Sequence, residues 1–443
     1  MSKEKINLNS FANSFLNASF KKKVVAGLLI IGMILAIGYT ASQGVQWNIS
    51  LELQARLDYL EVQQQLLNDT INIPVNSTIS AMVKTCSYIV SVHDSYYCLI
   101  NGSDDRAGRL EYYGSNASQV ANFAWGNLTR GGLILLKDGI TITNPIITSN
   151  DGVTIQGQKS GKSSGNSTFI RLANGANCDI FLSHTNPITT SSPRFGITIK
   201  DLEIDGNKAN NPSGGCGIKG VFTWSTFDGL HIHDTKGDGI RLLTVVADPT
   251  LVFDQRLYSV KVNDADGSGI LIDNQVNDGR AYDTEITGCA KYGFYLNNSG
   301  AWQIFGGSIY DNAYNQMYVK WGADNIIQGV TFDHNNGNYH TLDLEGSHRN
   351  RIIGNLWQNG ADGTPGTFYN IFLDWSEYCV VTSNIFRSGT YNPTWCIYED
   401  GDATRYNAFG DDSCFAGTTG GICLTAGGNS GVSGCWNATT WLP

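Results

Sequence analysis

The sequence predicts an all-β solenoid, a parallel β-helix whose coils stack along one axis. A short phrase of apolar, variable and apolar residues after a glycine turn returns at intervals of roughly 22 to 30 residues, a repeat length typical of solenoids. Within each copy the apolar residues alternate with period two, as in a strand that buries one face. No copy has room for a helix, so consecutive copies are expected to pair as parallel strands about 4.8 Å apart.

Each predicted coil contains two recognisable strands. The earlier strand of the coil falls at residues 202–204, 230–232, 260–262, 284–286 and 330–332. The later strand places one apolar residue of every coil at the same phase, and these residues are expected to stack as one inward ladder: Ile240, Ile270, Phe294, Leu342 and Ile371. The outward positions between them then become neighbours on successive coils.

The phrase Lys236-Gly237-Asp238-Gly239-Ile240, together with residues 131–136, 145–147, 152–157 and 168–172, resembles the pectin lyase-like superfamily. The resemblance covers about residues 115–430 and implies a right-handed parallel β-helix, capped at its first coil by a short helix near residues 117–125. It does not identify the chemistry. Proteins of this superfamily include lyases, hydrolases, esterases, epimerases, tailspikes and non-catalytic adhesins.

The residues that mark two catalytic branches of the superfamily are incomplete here. The polygalacturonase-like branch needs an Asn-Thr-Asp phrase, an Asp-Asp pair on the next coil, Gly-His-Gly and Arg-x-Lys. Asp238 matches the first aspartate, but Gly267 and Ser268 stand where the pair should be, and the later motifs are absent. The lyase branch needs a basic residue beside a calcium cluster, and Lys320 is the basic residue near the predicted acidic ladder.

The composition limits the classes of partner that the protein can bind and the cellular compartments in which it can reside. The net charge of −10, without a basic stripe outside the N-terminus, argues against nucleic acid as a partner. Ten cysteines, an even number, permit complete disulfide pairing in an oxidising compartment, with buried thiols as the alternative. No cysteine or histidine spacing indicates a zinc site, so no metal ligand is predicted. Asn-x-Ser/Thr glycosylation sequons are concentrated before residue 170, which indicates a glycosylated neck.

The N-terminal region predicts a membrane anchor. Residues 1–23 form a basic cytoplasmic tail, and residues 24–42 form a transmembrane segment in which residues 24–41 carry no charge. Because the lysines flank its N-terminal side, the β-helix is expected outside the membrane, on a cell or virion surface. A cleaved signal peptide is the alternative, although the uncharged run exceeds the usual length of one.

The boundaries of the remaining segments follow from where the heptad and coil repeats begin and end. Residues 43–73 have leucines at heptad spacing and predict a helical stalk, either a coiled coil that assembles a homotrimer or a single amphipathic helix. Residues 74–130 form a neck and N-terminal cap, of which 74–114 has no predicted fold. The β-helix spans 131–429, and residues 430–443 are expected to cover its open end.

The outward positions of the later strand carry the candidate site. Three carboxylates, Glu345, Asp374 and Asp400, fall at one phase on consecutive coils, where like charges about 4.8 Å apart should raise at least one pKa or bind a cation. We interpret these three as candidate catalytic residues. The outward residues around them are candidate substrate-binding residues: Tyr295, Tyr318, Lys320, Asp343, Phe372 and Tyr398.

The ladder is compatible with several chemistries. In a glycoside hydrolase, Asp374 would be the acid with the raised pKa, and Glu345 or Asp400 the base or nucleophile. In a lyase, the carboxylates would hold calcium and Lys320 would abstract the proton. In an adhesin, the acids would accept sugar hydroxyls while the aromatic rings stack, and a solvated acidic edge without a ligand is the plainest alternative.

Two further clusters are more simply explained by structure. Glu203, His231, Lys261 and Glu285 form a second outward ladder, with Asp205 and His233 beside it. It could transfer protons, but an exposed strand face with paired charges accounts for it. Residues 264–269 are similar to a calcium loop that lacks the closing acidic residue, which favours a simple turn.

Taken together, the sequence predicts a membrane-anchored, extracytoplasmic β-helix that binds polysaccharide. Cleavage by hydrolysis or elimination is the enzymatic form of this hypothesis, with calcium as the one cofactor left open. The alternative is a non-catalytic spike or adhesin of a cell or enveloped virion that holds glycan on the same face. The sequence does not decide between them.

Overall fold

The computed structural model describes most of the chain beyond residue 86. The tail, the transmembrane segment and the stalk predicted for residues 1–73 lie outside the described ranges. No helix in these ranges has both the length and the apolar character needed to cross a bilayer. The described ranges are 87–93, 96–102, 109–158, 160, 167–189, 192–245, 252–333, 339–358, 368–389, 392–400, 406–415, 419–424, 430–433, 435–437 and 441–442.

The described residues form β-strands, one α-helix and one short 3₁₀ turn at Lys208–Asn210. The α-helix, α1, is Ala117–Asn127. The first strands are β1 Tyr88–His93, β2 Tyr96–Asn101, β3 Leu110–Gly114, β4 Gly132–Leu136, β5 Ile140–Ile142, β6 Ile146–Ile147, β7 Val153–Gln156, β8 Phe169–Leu172, β9 Phe181–Leu182, β10 Arg194–Phe195, β11 Thr198–Lys200, β12 Glu203–Asp205 and β13 Ile218–Gly220. The next are β14 Phe222–Thr223, β15 Thr226–Asp228, β16 His231–His233, β17 Ile240–Leu243, β18 Arg256–Tyr258, β19 Lys261–Asn263, β20 Ile270–Asp273, β21 Arg280–Thr287, β22 Phe294–Asn297, β23 Gln303–Tyr310, β24 Met317–Lys320, β25 Ile326–Gln328 and β26 Thr331–Asp333. The last are β27 Leu342–Glu345, β28 Arg351–Ile353, β29 Leu356–Gln358, β30 Tyr369–Asp374, β31 Val380–Thr382, β32 Ile385–Arg387, β33 Trp395–Asp400, β34 Ala408–Gly410, β35 Ser413–Cys414, β36 Gly420–Leu424, β37 Gly431–Ser433, β38 Cys435–Asn437 and β39 Trp441–Leu442.

These strands build a parallel β-solenoid of the right-handed type, as predicted. The front sheet contains one strand of each coil, in the order β6, β9, β13, β17, β20, β22, β24, β27, β30, β33 and β36. The back sheet contains two stacks of strands, one running from β4 to β37 and the other from β5 to β38. The strands β21 and β23 are eight residues long and belong to both stacks, so they join the two.

The core lies inside the coils and has the predicted register. Ile240 pairs with Ile270, and Ile270 with Phe294. The ladder continues through Met317 and Leu342 to Ile371, and all of its members are fully buried. The prediction of one inward ladder is therefore confirmed. Burial of apolar side chains, worth about 25 cal/mol per Å², stabilises each coil against its neighbours.

The N-terminal end is closed as the resemblance implied. The Asn116 side chain accepts hydrogen bonds from the first turn of α1, and Trp125, near the end of the same helix, is fully buried. Ser118 and Asn122 hold the backbone of the coil below through bonds to residues 143–147. The part of the neck that had no predicted fold is an antiparallel arrangement of β1, β2 and β3, and β1 pairs in parallel with β4.

The C-terminal end differs from its prediction. Residues 430–443 were expected to cover the last coil, but β37 and β38 extend both stacks of the back sheet by another rung. Only the final strand, β39, turns back to pair antiparallel with β38. The solenoid therefore continues past residue 429, because these short strands find parallel partners one coil below.

Buried asparagines bind successive turns together in the back sheet. The Asn384 Oδ1 atom accepts hydrogen bonds from the backbone and side chain of Asn355 at 3.0 and 3.1 Å, and its Nδ2 donates to the Ile352 carbonyl at 3.0 Å. Asn384 itself receives the same support from Asp412, at 2.9 Å. At these turns, side-chain hydrogen bonds thus replace the backbone hydrogen bonds that join strands of successive coils.

Replacing Asn384 with alanine is expected to destabilise the fold by about 1–3 kcal/mol, because buried donors and acceptors on two coils lose their partner. Chemical denaturation followed by circular dichroism measures the change. Asn144→Ala, at an exposed turn, is the matched control and should alter stability by less than about 0.5 kcal/mol. Equal losses of stability in Asn384→Ala and Asn144→Ala would contradict the stabilising role of the buried asparagines.

The cysteines do not follow the disulfide expectation. Within the described residues, Cys98, Cys178, Cys216, Cys289, Cys379 and Cys396 are free thiols, and all but Cys178 are buried. Burial raises the pKa of Cys379 to about 11 and that of Cys289 to about 12, so these thiols are neutral and poorly nucleophilic. They act as small apolar core residues, which is the alternative that the sequence left open.

Candidate functional site

The outer face of the front sheet brings the predicted site residues together. Tyr295, Tyr318, Asp343, Phe372 and Tyr398 stand at one outward phase on consecutive coils. A second outward column, two residues further along each strand, aligns Lys320, Glu345, Asp374 and Asp400. The geometry of both predicted ladders is confirmed, whereas the chemical roles given to their residues remain predictions.

Asp343 occupies the centre of this face. Its Oδ2 atom accepts a hydrogen bond of 3.3 Å from Asn315, but its Oδ1 atom is shielded from solvent and has no partner. Burial and the nearby carboxylates of Glu345 and Asp374 raise the pKa of Asp343 to about 7. A carboxyl group with this pKa can be protonated near neutral pH and can then donate a proton.

Glu345, two residues along the same strand, is held in its ionised form. The Lys320 ammonium lies 2.8 Å from its Oε1 atom, and the Tyr318 hydroxyl donates to its Oε2 atom. Burial works against the charge, but these hydrogen bonds hold the pKa of Glu345 below its usual range. Burial and the bond to Glu345 raise the pKa of Tyr318, so this tyrosine is a proton donor to the carboxylate.

Glu345, Asp374 and Asp400 line up on three coils, with Asp374 half-buried and Asp400 exposed at the end. The sequence argument assigned the raised pKa to Asp374 because carboxylates flank it on both sides. In the structure the pKa of Asp343, on the adjacent column, is raised, and desolvation is the largest cause, while the role given to Asp374 stays a prediction. The sequence argument counted neighbouring charges along one column and did not consider burial, which is what raises the pKa of Asp343.

Aromatic rings border the acidic centre on both sides. Tyr295 and Tyr318 stack with centroids 5.0 Å apart on one side. On the other, Tyr369 and Tyr398 stack at 4.3 Å with planes only 7° apart. Inside each stack the rings cover one another, so a pyranose ring can pack only on the ring edges and on the outer faces at the ends of the stacks, on either side of Asp343.

Three aromatic residues of this surface were not among the predicted site residues. Tyr292 stacks on Tyr318 at 5.1 Å, His340 stacks on Tyr369 at 4.8 Å, and Tyr369 itself belongs to the second stack. They lie just before or at the start of the front-sheet strands, outside the alternating phase on which the prediction relied. A search for aromatic residues within two positions of each strand would have found Tyr292, His340 and Tyr369.

His340 adds a neutral hydrogen-bonding group to this surface. Burial lowers its pKa to about 4, so the imidazole carries no charge at neutral pH. Its Nδ1 atom accepts a 3.1 Å bond from the Tyr369 backbone amide, which leaves the proton on Nε2. The ring lies 4.5 Å from that of Phe372 and extends the aromatic surface.

The raised pKa of Asp343 predicts a pH-dependent effect on stability. The unfolded carboxyl titrates near its ordinary pKa of about 4, and the folded one near 7, so the folded state gains protons relative to the unfolded state in between. Wild-type stability should therefore fall, relative to Asp343→Asn, as the pH rises from about 4 to about 7. Melting temperatures of both proteins at several pH values test this, and a constant difference would contradict it.

The second predicted ladder is on the back sheet, where its register is confirmed and its histidines are buried. His231 and His233 are buried, at 8% and 3% exposure, whereas an exposed face was expected. The two ring nitrogens of His233 lie 3.1 Å from Glu203 and 2.8 Å from Asp234. Asp205, His233 and Asp234 each offer a ligand atom within 4.8 Å of one another, so in the part of the chain that the structure describes these three could hold a metal ion.

The loop similar to a calcium site is a turn. Asp266 accepts bonds from Lys208 at 2.9 Å and from Lys236 at 2.6 Å, and Lys208 also donates to the Asp264 carbonyl. These ammonium groups occupy the oxygens that a cation would need. The bond from Lys236, the largest contribution, holds the pKa of Asp266 below its usual range, although burial acts against it.

Comparison with known proteins supports the fold. No protein-family model matches the chain, and no curated protein is significantly similar to it in sequence. The A-module of a mannuronan C-5 epimerase from Azotobacter vinelandii has a similar structure, with a TM-score of 0.55 and 20% identity over 75% of this chain and 96% of that one. A second A-module of the same enzyme type matches with a TM-score of 0.53 and 18% identity, over 73% of this chain and 95% of that one.

A phage tailspike protein and a bacterial surface adhesin also have similar structures. The enzymatically active domain of tailspike protein 2 from bacteriophage CBA120 matches with a TM-score of 0.54 and 14% identity, over 72% of this chain and 49% of that one. A surface adhesin of Streptococcus pneumoniae matches with a TM-score of 0.55 and 12% identity, over 72% of this chain and 86% of that one. At these identities the likeness shows the fold alone, and it confirms the predicted parallel β-helix.

Proposed function

We propose that the outer face of the front sheet binds a polysaccharide and hydrolyses it. The observation that carries this proposal is the placement of Asp343, a shielded carboxyl group with a pKa of about 7, between two stacks of aromatic rings. Sugars that pack on both stacks would bring a glycosidic bond over Asp343. Proteins of similar structure that act on or bind to glycans make this partner reasonable.

Asp343 and Glu345 have the complementary states that hydrolysis needs. Protonated Asp343 would give its proton to the glycosidic oxygen as the bond to the anomeric carbon breaks. Ionised Glu345 would activate the attacking water or attack the carbon itself. Two residues apart on one strand, their Cα atoms are about 6.7 Å apart, and flexible side chains can span the carboxyl separations of both hydrolase types.

Elimination is less well supported. A lyase needs a group that abstracts a proton from carbon, and the sequence offered Lys320 for this task. Lys320 is committed to the ion pair with Glu345, and its Nζ atom also lies 4.6 Å from the centroid of the Trp321 ring. The raised pKa of Tyr318 makes that residue a poor base as well.

Binding without cleavage is the second candidate, and one observation favours it. Both oxygens of Glu345 already have partners, Lys320 and Tyr318, so the carboxylate must release one of them before it attacks or activates water. An adhesin would need only the ring stacks and the polar groups around them. The two candidates share a glycan partner and differ in whether the Asp343 proton is used.

We also propose that the solenoid is displayed outside a membrane. The support is the uncharged segment 24–41 after a basic tail and the heptad pattern of residues 43–73, which would anchor the protein and assemble it as a trimer.

Incubation of the purified full-length protein with a panel of polysaccharides tests the function. Reducing ends and unsaturated products are measured separately, since hydrolysis yields the first alone and elimination yields both. New reducing ends without unsaturated products are the expected result. Binding without any product would support the adhesin, and neither binding nor product across a broad panel would contradict both candidates.

A further inference from the structure

A cleft lies at the edge where the front sheet turns into the back sheet, beside the candidate site and not within it. Its volume is about 420 Å³. Turn residues of successive coils form its walls, among them Gln275, Asp278, Asn298, Trp321 and Asp324. This volume is within the range of small-molecule sites and can hold a ring of sugar size.

Trp321 is the one large apolar side chain of the cleft wall, and 59% of it is exposed. Its backbone φ of 52° lies in the left-handed region, which favours glycine and asparagine. The corresponding residue is Asn298 on the preceding coil and Gly346 on the following one, as backbone bonds at this turn show. Neither burial nor backbone preference accounts for a tryptophan here, and its place in the wall of the cleft points to a ligand.

Gly346 keeps this tryptophan in place. A Cβ atom at residue 346 would lie 2.6 Å from Cδ1 of Trp321, so the indole packs directly against the glycine backbone. On the coil after Gly346, Trp375 repeats the exposed tryptophan, with 58% exposure and a φ of 50°. The turns that join the front sheet to the back sheet therefore expose large aromatic side chains on two coils, at Trp321 and Trp375.

The polar groups of the cleft are available to a ligand. Among the described residues, no hydrogen bond engages the side-chain amides of Gln275 and Asn298 or the carboxylate of Asp278. Asp324, in contrast, is neutralised by Arg349, which lies 2.7 Å from both of its carboxylate oxygens. Uncommitted amides and a carboxylate around an exposed indole can bond hydroxyl groups while the ring packs on C–H groups.

The charge of the cleft selects among sugars. Asp278 is an acidic residue without a cationic partner in the described residues, and Arg349 is already paired. An anionic sugar such as a uronate would therefore be repelled, whereas a neutral one would not. Lys320 lies between this cleft and the front-sheet site, since it contacts both Trp321 and Glu345.

We propose that this cleft binds a neutral hexopyranose residue of a glycan, with Trp321 as the stacking platform and Gln275, Asn298 and Asp278 as hydrogen-bond partners. The proposal rests on the proposed glycan partner but assigns a second binding site, separate from the carboxylates of the front sheet. A glycan that crosses Lys320 could occupy both sites.

Isothermal titration of the full-length protein with neutral hexasaccharides of glucose, galactose, mannose and N-acetylglucosamine, and with hexagalacturonate, tests the cleft. At least one neutral oligosaccharide should bind, and Trp321→Ala should weaken its binding by about tenfold or more, the loss expected for about 1.4 kcal/mol. Asn298→Ala and Gln275→Ala should each weaken it by a few-fold.

The matched control is Trp224→Ala. Trp224 is equally exposed, at 55%, and also has a left-handed φ of 52°, but it packs against Phe195 and Phe253 at 5.7 Å away from the cleft. Its removal should leave binding unchanged. Circular dichroism melting of each variant separates lost binding from lost folding.

Three outcomes would overturn the inference. They are unchanged affinity in Trp321→Ala, equal loss in Trp224→Ala, or Trp321-dependent binding that favours hexagalacturonate. Asp343→Asn and Trp321→Ala distinguish the sites, since the first should lower turnover and leave binding at the cleft intact, whereas the second should weaken binding. If polysaccharide is still bound or cleaved through Asp343 while Trp321→Ala has no effect, the cleft proposal fails and the proposed function stands. If the wild-type protein binds no saccharide, both fail.

Discussion

Asp343→Asn is expected to lower polysaccharide turnover by roughly 100- to 10,000-fold, the contribution typical of a general acid. Asparagine keeps the shape of the carboxyl group but cannot give a proton to the glycosidic oxygen. Substrate affinity should change little, because the aromatic stacks on both sides remain. Initial rates of reducing-end release and equilibrium binding, measured on the same substrate, separate the two effects.

Asp228→Asn is the matched control, because it removes one carboxylate from an outward position of the back sheet. Its turnover should equal that of the wild type. Full activity in Asp343→Asn would sink the assignment of Asp343 as the acid. Loss of binding in Tyr318→Ala and Phe372→Ala, with no turnover in the wild type, would identify an adhesin.

The pH profile carries a second signature of the same group. If protonated Asp343 is the acid, activity should decline as the pH rises above about 7, since its pKa is about 7 in the free protein. The stability effect has the same origin, because the protonated form suits the buried position. The decline in activity above about pH 7 and the pH-dependent loss of stability should both be absent in Asp343→Asn. Their joint absence would show that the same carboxyl group causes both.

Ile270→Asp is expected to cost at least about 4 kcal/mol of stability, enough to prevent folding of the surrounding coils. Ile270 is fully buried and pairs with Ile240 and Phe294 on either side. The change removes apolar contacts and places an unpaired charge inside a stack in which each coil depends on its neighbours. Denaturation followed by circular dichroism, together with the yield of folded protein, measures the loss.

Ile385→Asp provides the control of identical chemistry. Ile385 is also a strand residue, but 43% of it is exposed on the outer surface. Its change should shift stability by no more than about 1 kcal/mol. Normal melting of Ile270→Asp would refute the inward register, and with it the outward placement of Asp343 on the neighbouring strands.

The sequence by itself determined the solenoid and the register of its front sheet. Ile240, Ile270 and Phe294 could be aligned from sequence because strands alternate with period two and a turn restarts the phase in every coil. The same alignment placed Tyr318, Asp343 and Phe372 on one outward column. The strands of the first back stack, such as β18 and β25, were not predicted, because the sequence analysis assigned one earlier strand to each coil and the back sheet contains two.

Only the tertiary structure decided the chemistry of the site. The pKa of Asp343 depends on burial and on Asn315, which lies 28 residues away in the chain, so no local pattern reports it. The partners of Glu345 likewise come from the preceding coil. Desolvation and electrostatic fields act through space between coils, whereas a sequence pattern records only the order of residues within them.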